Sequence, residues 1–338
     1  MSSNQPLVSV YCMAYNHEKY IRDCLEGFIM QKTTFPFEVI VHDDASCDRT
    51  AEVIREFEIK YPEIIKPIYE EENQFQKNKF LLRDIIFPRV KGKYVAICEG
   101  DDYWTDENKL QDQVGLLENH PDCHFCVAGV EEVSLNKTPL HVYHPADRID
   151  EQFISPDSFI NYVDSYSFQT SSYMMRYDDW KDYILDPPEF RKSSDVGDLP
   201  MLLYFGSLGK TGYINRIMSC YRRGAVASYS AQRIKWSEEQ RIAHWMKTIK
   251  TWKAFDSFSK GRFHDTCAKA VARPMFDMNI VTCNAKAFLK KENIPYFRAL
   301  PFKKRVYVLA ALLLKKTVRR LYRNKINKFE KRLSGAWH

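Results

Sequence analysis

The sequence predicts an α/β fold, in which a mostly parallel sheet is flanked by helices and followed by a helical C-terminal extension. Short apolar segments alternate with amphipathic ones over the first hundred residues, as in parallel strands joined by helices. The carboxyl ends of the predicted strands carry acidic clusters, which is where α/β sheets bind ligands. From about residue 237 onward helical spacing of apolar residues dominates.

The individual elements follow from hydrophobic periodicity and from the polar turns between apolar segments. The segments predicted to be strands are residues 7–14, 37–42, 64–69, 93–98, 167–176 and 212–221. The segments with helical spacing are residues 18–30, 50–60, 80–88 and 197–205. Pro187 and Pro188 predict a loop over 186–192, and Asp198 is suited to cap the helix that follows, with Pro200 in its first turn.

Composition and cysteine usage indicate a folded protein of a reducing compartment. Apolar residues make up 45% and charged residues 28% of the 338 residues, as in ordinary globular domains. The 9 cysteines are irregularly spaced and no apolar leader segment precedes them, so we expect free thiols in the cytoplasm. Cys123 and Cys126 lack the second pair that a zinc site needs, and a strand is the expected setting for both.

Two acidic clusters directly follow predicted strands. Asp43 and Asp44 end the strand 37–42, and Glu99, Asp101 and Asp102 follow the strand 93–98. Crowded carboxylates raise each other's pKa unless a cation lies between them, and oxygen ligands select Mg²⁺ or Mn²⁺, which also bind phosphates. The alternative is a solvated acidic turn that caps the next helix.

Four ordered motifs make the chain similar to family 2 glycosyltransferases, which have the GT-A (Rossmann-like) fold. The motifs are Val8-Ser9-Val10 with Ala14-Tyr15-Asn16, residues 38–46 with Asp48 and Thr50, Gly92-Lys93-Tyr94, and residues 99–104. The resemblance covers roughly residues 6–225. It implies an inverting transfer of a sugar from a UDP-sugar to an acceptor hydroxyl, with Mn²⁺ or Mg²⁺ as cofactor.

The resemblance also implies roles for residues on the nucleoside side. Ala14 and Tyr15 would frame the nucleoside pocket. Asp44, with Asp43 beside it, would accept a hydrogen bond from the uracil ring. Arg83 precedes the acidic cluster by the family's spacing and would support the base or the phosphate.

On the diphosphate side, the resemblance implies that Asp101 lies near the ribose and that Asp102 holds the metal on the diphosphate. Glu99 stands where the family usually has Asp, within the same nucleotide-sugar site. Trp104 follows this cluster and is expected to line a sugar pocket.

The acceptor side needs a base for the attacking hydroxyl. Gly197-Asp198-Leu199 resembles the family's motif, so Asp198 is predicted to be the general base, as an exposed and ionised carboxylate. The alternatives are a plain helix cap at Asp198, or Asp195 as the base. Arg222 and Arg223 are suited to bind the diphosphate, because a guanidinium binds such oxygens bidentately, although surface arginines are a common alternative.

The C-terminal segment differs in charge from the rest of the chain. Residues 301–338 contain twelve Lys or Arg and one acid, so they carry +11; because the whole chain carries +6, residues 1–300 carry −5. Residues 306–314 are apolar but too short to span a bilayer, which needs about 20 residues. We therefore expect a basic amphipathic helix on an anionic membrane, or else a solvated helix packed on the protein. Nucleic acid is not an expected partner, because no reading motif accompanies the charge.

These observations divide the chain into a GT-A domain over 1–228 and a helical region over 229–338, with the basic tail 301–338. The nucleotide-sugar half is expected over about 1–115 and the acceptor half over about 116–228. The expected acceptor is a saccharide or lipid-linked saccharide of cell-surface polysaccharide synthesis, and the expected location is the cytoplasm, at the inner face of the plasma membrane. Alternatives are a sugar nucleotidyltransferase, which would carry a glycine-rich loop after the first strand, and a non-catalytic GT-A scaffold.

Overall fold

The computed structural model describes residues 5–77, 80–147, 149–164, 168–225, 232–233 and 235–335. The chain divides into two compact units. The first comprises Met1–Pro187 with Tyr204–Ser228, and the second comprises Pro188–Leu203 with Tyr229–His338. Residues 188–203 therefore belong with the C-terminal helices, although the sequence pattern assigns them to the first domain.

The first unit is built on one sheet, whose strand order in the described part of the chain is β3-β2-β1-β4-β9-β6-β10-β5, with β7 on β6 and β8 on β10. The strands are β1 Val8–Ala14, β2 Phe37–Asp43, β3 Ile65–Tyr69, β4 Tyr94–Ile97, β5 Tyr103–Trp104, β6 Cys123–Val133, β7 Pro139–His144, β8 Phe153–Ile154, β9 Met174–Arg176 and β10 Lys210–Arg222. Strands β1 to β4 pair in parallel, as do β6 and β10. Strand β9 joins the two parallel groups and is antiparallel to β4 and β6.

Helices and short helical turns flank this sheet. The helices of the first unit are α1 Ile21–Ile29, α2 Thr50–Lys60, α3 Gln74–Lys77, α4 Lys109–Asn119, α5 Pro156–Asp164 and α6 Tyr177–Leu185. The sheet core is apolar because β1, β2 and β4 are buried on both faces. Helix α1 packs Ile21, Leu25 and Phe28 into this core at the spacing of one helical face.

A buried polar network fixes the start of the sheet. The hydroxyl of Ser9 donates to Glu38 at 2.7 Å and accepts the backbone N–H of Gly92 at 2.8 Å. A Cβ at Gly92 would lie 2.4 Å from the backbone nitrogen of Ser9, so the close approach of these strands requires glycine.

The second unit is helical. Its helices are α7 Glu189–Ser193, α8 Asp198–Leu208, whose last residues belong to the first unit, α9 Glu238–Phe258, α10 His264–Val281, α11 Ile294–Ala299, α12 Phe302–Leu313 and α13 Lys315–Gly335. Ser237 and Gln240 form a capping box at the start of α9. In the described part of the chain, no helix combines the length and the apolar character needed to cross a membrane.

The structure corrects two of the predicted elements. Ser167 lies outside the described residues, and residues 168–176 contain the 3-10 turn Thr170–Ser172 and the short strand β9, because it is Met174–Arg176 that pair with β4 and β6. Residues 186–192, predicted to be a loop, include most of α7. The helical prediction for residues 80–88 is confirmed, as the π turn Leu82–Ile86 followed by a 3-10 turn. The predicted free thiols and the strand placement of Cys123 and Cys126 are confirmed.

Candidate active site

The loops after β1, β2 and β4 meet at one edge of the sheet in the first unit. The backbone N–H of Asp44 donates to the carbonyl of Ala14 at 2.9 Å, and that of Gly100 donates to the carbonyl of Met13 at 2.9 Å. Because parallel neighbours end at the same edge, the two acidic clusters predicted from the sequence lie beside the end of β1.

Reciprocal hydrogen bonds join the loop after β1 to the loop after β2. Asn16 has a left-handed φ of 56°, and its backbone N–H donates to the hydroxyl of Ser46 at 2.9 Å. Its side-chain oxygen accepts the N–H of Cys47 at 2.8 Å, and the N–H of Glu18 donates to Asp48 at 3.0 Å. These contacts hold Ala14 and Tyr15 in place, a positioning role that the motif spacing alone does not reveal.

The two carboxylates after β2 have different partners. Both oxygens of Asp44 accept backbone N–H groups, from Gln74 at 2.5 Å and from Phe75 at 3.0 Å. Asp43 is 3% exposed, and its Oδ1 has no hydrogen-bond partner among the described residues. Burial raises the pKa of Asp43. A buried acceptor without a partner is costly, so Asp43 has the greater free capacity to accept a hydrogen bond from a ligand.

The cluster after β4 concentrates negative charge in a buried position. Asp102 is 2% exposed and accepts the backbone N–H of Arg222 at 2.8 Å. Burial, followed by the charges of Asp101 and Glu99, raises the pKa of Asp102 well above its usual range. Glu99 also accepts the hydroxyl of Thr170 at 2.6 Å.

This donor set fits a hard divalent cation that is shared with a phosphate. No group of three or more His, Cys, Asp or Glu arranged to hold a metal occurs in the part of the chain that the structure describes. Mg²⁺ sites, however, use one or two carboxylates and complete their coordination with substrate phosphates and water. Arg222 offsets only part of the repulsion around Asp102, and such a cation would relieve the remainder.

The structure places Arg222 in a supporting position. Its side chain is 1% exposed and donates to the carbonyl of Asp101 at 2.6 Å and to the carboxylate of Asp23 at 2.7 Å. The guanidinium lies 4.8 Å from the ring centre of Tyr20 and 5.1 Å from that of Tyr103. Arg222 therefore fixes the acidic loop to the end of β10, and the sequence gives no sign of its partner Asp23.

Arg223 and Arg83 are also engaged within the first unit. Arg223 donates to Glu132 through Nε at 2.7 Å, and His144 lies 2.8 Å from the same carboxylate. Arg83 pairs with Asp84 at 2.8 Å, where both side chains are more than a third exposed. Such a contact is weak and exchangeable, so Arg83 can be recruited by a ligand at little cost.

Trp104 is buried in the core, contrary to the expectation that it lines a sugar pocket. Its side chain is 2% exposed and its Nε1–H donates to the carbonyl of Ser171 at 2.9 Å. The ring packs edge-on against Phe28, and the ammonium of Lys109 lies 4.3 Å from the ring centre. The reason is that β5 pairs with β10, which turns Trp104 into the core.

In the second unit, the environments of Asp195 and Asp198 differ. Burial raises the pKa of Asp195, but His244, 3.1 Å from both its oxygens, and Lys247 hold it below its usual value. Burial raises the pKa of Asp198 above its usual value, although the N–H of Leu199 donates to it at 2.7 Å. Asp198 is half-buried, so the expectation of an exposed carboxylate at its reference pKa is wrong.

Comparisons with known proteins bear on this arrangement. A family profile described as Glycosyl transferase family 2 matches residues 9–177, half of the 338-residue chain. An uncharacterized protein of Mycobacterium tuberculosis is 44% identical over 119 residues, which are 35% of this chain and 34% of that protein. The Bacillus subtilis protein named "Putative teichuronic acid biosynthesis glycosyltransferase TuaG" is 32% identical over 140 residues, 41% of this chain and 53% of that protein.

The chain thus spans between about a third and a half of the length of these curated relatives. Among solved structures, residues 1–349 of Staphylococcus aureus TarS, in complex with UDP-GlcNAc, are similar over 95% of this chain and 91% of that chain. The TM-score is 0.60 and the identity is 15%, which shows a shared fold, the predicted GT-A fold with a helical C-terminal region.

Proposed function

The chain belongs to glycosyl transferase family 2, and from that premise we propose that it is an inverting glycosyltransferase that uses a UDP-sugar. The observation that carries the proposal is the buried acidic cluster at the sheet edge where the loops after β1, β2 and β4 meet, in which burial and neighbouring carboxylates raise the pKa of Asp102 even with Arg222 beside it. A cleft at this edge is where α/β folds bind nucleotides, and a diphosphate with its cation satisfies such a cluster. The complex of TarS with UDP-GlcNAc supports UDP as the nucleotide.

On the donor side, Asp43 and Asp44 receive the base, with Asp43 supplying the free acceptor for the uracil N–H. Ala14 and Tyr15 border the nucleoside, and Arg83 exchanges its surface contact for the base or a phosphate. These roles rest on the resemblance of the motifs and on the hydrogen-bonding capacities described above.

Asp102 would hold the Mn²⁺ or Mg²⁺ on the diphosphate, with Asp101 near the ribose, and the ion would offset the charge of the departing diphosphate. Glu99, held by Thr170, orders the loop on the ribose side. Arg222 holds this loop through its hydrogen bonds to Asp101 and Asp23 and does not contact the diphosphate. Arg223, whose side chain is 28% exposed, is the arginine that binds the diphosphate in this proposal.

Asp198 is the general base of the proposal. Its carboxylate takes the proton of the acceptor hydroxyl while the hydroxyl oxygen bonds to the anomeric carbon and the bond from that carbon to the diphosphate breaks, which releases UDP and inverts the centre. A raised pKa suits this role, because proton affinity nearer the working pH makes a better base. Asp195 is a weaker candidate, since its pKa is lowered by the His244 contact.

The proposed acceptor is a hydroxyl of a growing saccharide or glycolipid in cell-surface polysaccharide synthesis. The name of TuaG refers to teichuronic acid, and that of TarS to a poly(ribitol-phosphate) acceptor, which supports a surface-polymer substrate. Peripheral contact of the basic tail 301–338 with the inner face of the plasma membrane and a cytoplasmic location complete the proposal.

A calorimetric titration tests the donor half. Wild type, Asp102→Asn and the exposed control Asp178→Asn are titrated with UDP, GDP and dTDP in Mn²⁺ or EDTA. Asn keeps an oxygen for the N–H of Arg222, so the variant removes charge with little change in the fold. We expect UDP binding that needs both Mn²⁺ and Asp102. Well-folded wild type that binds no nucleotide would instead favour a non-catalytic scaffold.

Transfer assays test the acceptor half. With any UDP-sugar that the wild type hydrolyses or transfers, Asp198→Asn should lower kcat by roughly 10²–10⁴-fold and leave UDP affinity unchanged, as expected for loss of a general base. Asp195→Asn should retain most of the activity. The reverse ranking of the two variants would assign the base to Asp195.

A further inference from the structure

Helix α12 has apolar side chains on two opposite faces. Val308 and Ala311 are buried in the core of the second unit, which includes Ala272 and Phe276 of α10. Phe302, Val306, Leu309 and Leu313 lie on the other face, separated by four, three and four residues. At 3.6 residues per turn, this spacing aligns them in one narrow stripe along the helix.

The second face is exposed to solvent. Phe302 is 74% exposed, Val306 47%, Leu309 53% and Leu313 86%. Single exposed apolar side chains, such as Ile59 on α2 at 81%, are ordinary and need no explanation. A continuous row of four on one helix is different, because contiguous apolar surface of a folded protein marks an interaction site.

Exposed cations lie on the helix that carries this apolar stripe and on the helix that follows it. Lys303 lies beside it on α12, and Lys315, Lys316 and Arg320 are exposed on the following helix α13. Other cations of the same segment are engaged inside the second unit: Lys304 lies 3.4 Å from Asp277, and Arg319 and Arg323 both pair with Glu238. The exposed cations are therefore available to an external anionic partner.

We propose that the stripe of α12 inserts into the interface of an anionic lipid bilayer, with Lys303, Lys315, Lys316 and Arg320 contacting the phosphates of the headgroups. Apolar insertion plus basic flanks is the combination by which interfacial helices bind such membranes. A second copy of the chain is a poorer partner for the stripe, because it would bring the same +11 segment against the first.

This inference specifies the membrane contact of the proposed function at the level of residues, and it does not require the chain to be a transferase. Vesicle binding measures it without nucleotide or acceptor. A chain that binds vesicles through α12 but binds no UDP would retain this inference and lose the proposed activity, and the opposite result would do the reverse.

The experiment is vesicle flotation of the full chain with neutral phosphatidylcholine vesicles and with vesicles that also contain phosphatidylglycerol. The variants are Leu309→Ser with Leu313→Ser, and Lys315→Gln with Lys316→Gln. The control pair is Ile59→Ser with Leu185→Ser, which removes exposed apolar side chains from the first unit. Circular dichroism establishes that each variant is folded.

We expect the wild type and the control pair to float with anionic vesicles only, and to be released by high salt. The leucine pair should bind at least about tenfold more weakly, and the lysine pair about tenfold more weakly with a smaller salt effect. Wild type that stays unbound, or a leucine pair that binds as the wild type does, would overturn the inference. A dimer that forms without lipid and is lost in the leucine pair would assign the stripe to a second copy instead.

Discussion

Lys109 is a buried ammonium next to Trp104, and its environment allows a quantitative prediction. The residue is 0% exposed, and its Nζ donates to Gln113 at 2.6 Å and lies 4.3 Å from the ring centre of Trp104. Gln113 in turn donates to the carbonyl of Ser172 at 2.7 Å. Burial lowers the pKa of Lys109 from 10.5 to about 8, because a neutral amide and an aromatic ring replace only part of its hydration.

This shift is a cost to folding whose pH range can be stated. A change of about 2.5 pKa units corresponds to roughly 3 kcal/mol. Below about pH 8 both the folded and the unfolded chain carry the charge at Lys109, so the whole cost is present. Between about pH 8 and 10.5 the unfolded chain binds more protons at this site than the folded chain, so stability rises with pH, and the cost is gone above that range.

Lys109→Met removes the charge and keeps the length of the side chain. At neutral pH, removing the buried charge should raise the free energy of unfolding by roughly 3 kcal/mol. Leaving Gln113 without its donor should lower it by about 1–3 kcal/mol. The more decisive quantity is the pH dependence. The stability of the variant relative to the wild type should fall by about 2 kcal/mol between about pH 7.5 and 10.

Urea unfolding followed by circular dichroism, in the presence of a reductant, measures these differences. Most cysteine and tyrosine titrations are common to both proteins and cancel in the comparison. Cys98 and Cys126, whose charges interact with Lys109, stay protonated in the folded chain over this range because burial raises the pKa of both thiols. The control is Lys181→Met, an exposed lysine on α6, which should follow the wild type at every pH. A difference between Lys109→Met and wild type that stays constant over this pH range would show that Lys109 is not charged in the way described.

Two further substitutions test the packing of the first unit. Trp104→Phe leaves the carbonyl of Ser171 without its donor and should lower the free energy of unfolding by about 1–3 kcal/mol. The KM for the UDP-sugar should stay within about twofold of the wild-type value. A large rise in KM with unchanged stability would instead indicate that Trp104 contacts the sugar. Gly92→Ala should lower the melting temperature, because its Cβ would lie 2.4 Å from the backbone nitrogen of Ser9. The control Gly115→Ala, in helix α4 with no atom within 4 Å of its Cβ, should instead stabilise by roughly 0.5–1 kcal/mol, and equal effects of the two would contradict the close approach at Gly92.

The parallel part of the fold could be predicted from periodicity because it is built from local signals. The predicted strand 7–14 and the predicted helix 50–60 correspond to β1 and α2 within one residue. A strand buried on both faces is a continuous apolar run, and a helix on the sheet carries one apolar face, so each element shows its own pattern. Strand β9 was harder to predict from the sequence, because its antiparallel position between β4 and β6 depends on two partners that are distant in the chain.

The sequence by itself determined that carboxylates cluster after β2 and β4, since the end of an apolar strand and the residues that follow it are adjacent in the chain. Only the tertiary structure decided how each side chain is used. Asp102 accepts a hydrogen bond from Arg222, 120 residues later, and Trp104 is turned into the core by pairing with β10. Asp195 and Asp198 are both aspartates of one short segment, yet His244 lowers the pKa of the first and burial raises that of the second. Burial and hydrogen-bond partners come from residues far apart in the chain, and they set the charge and availability of a group, which no local pattern records.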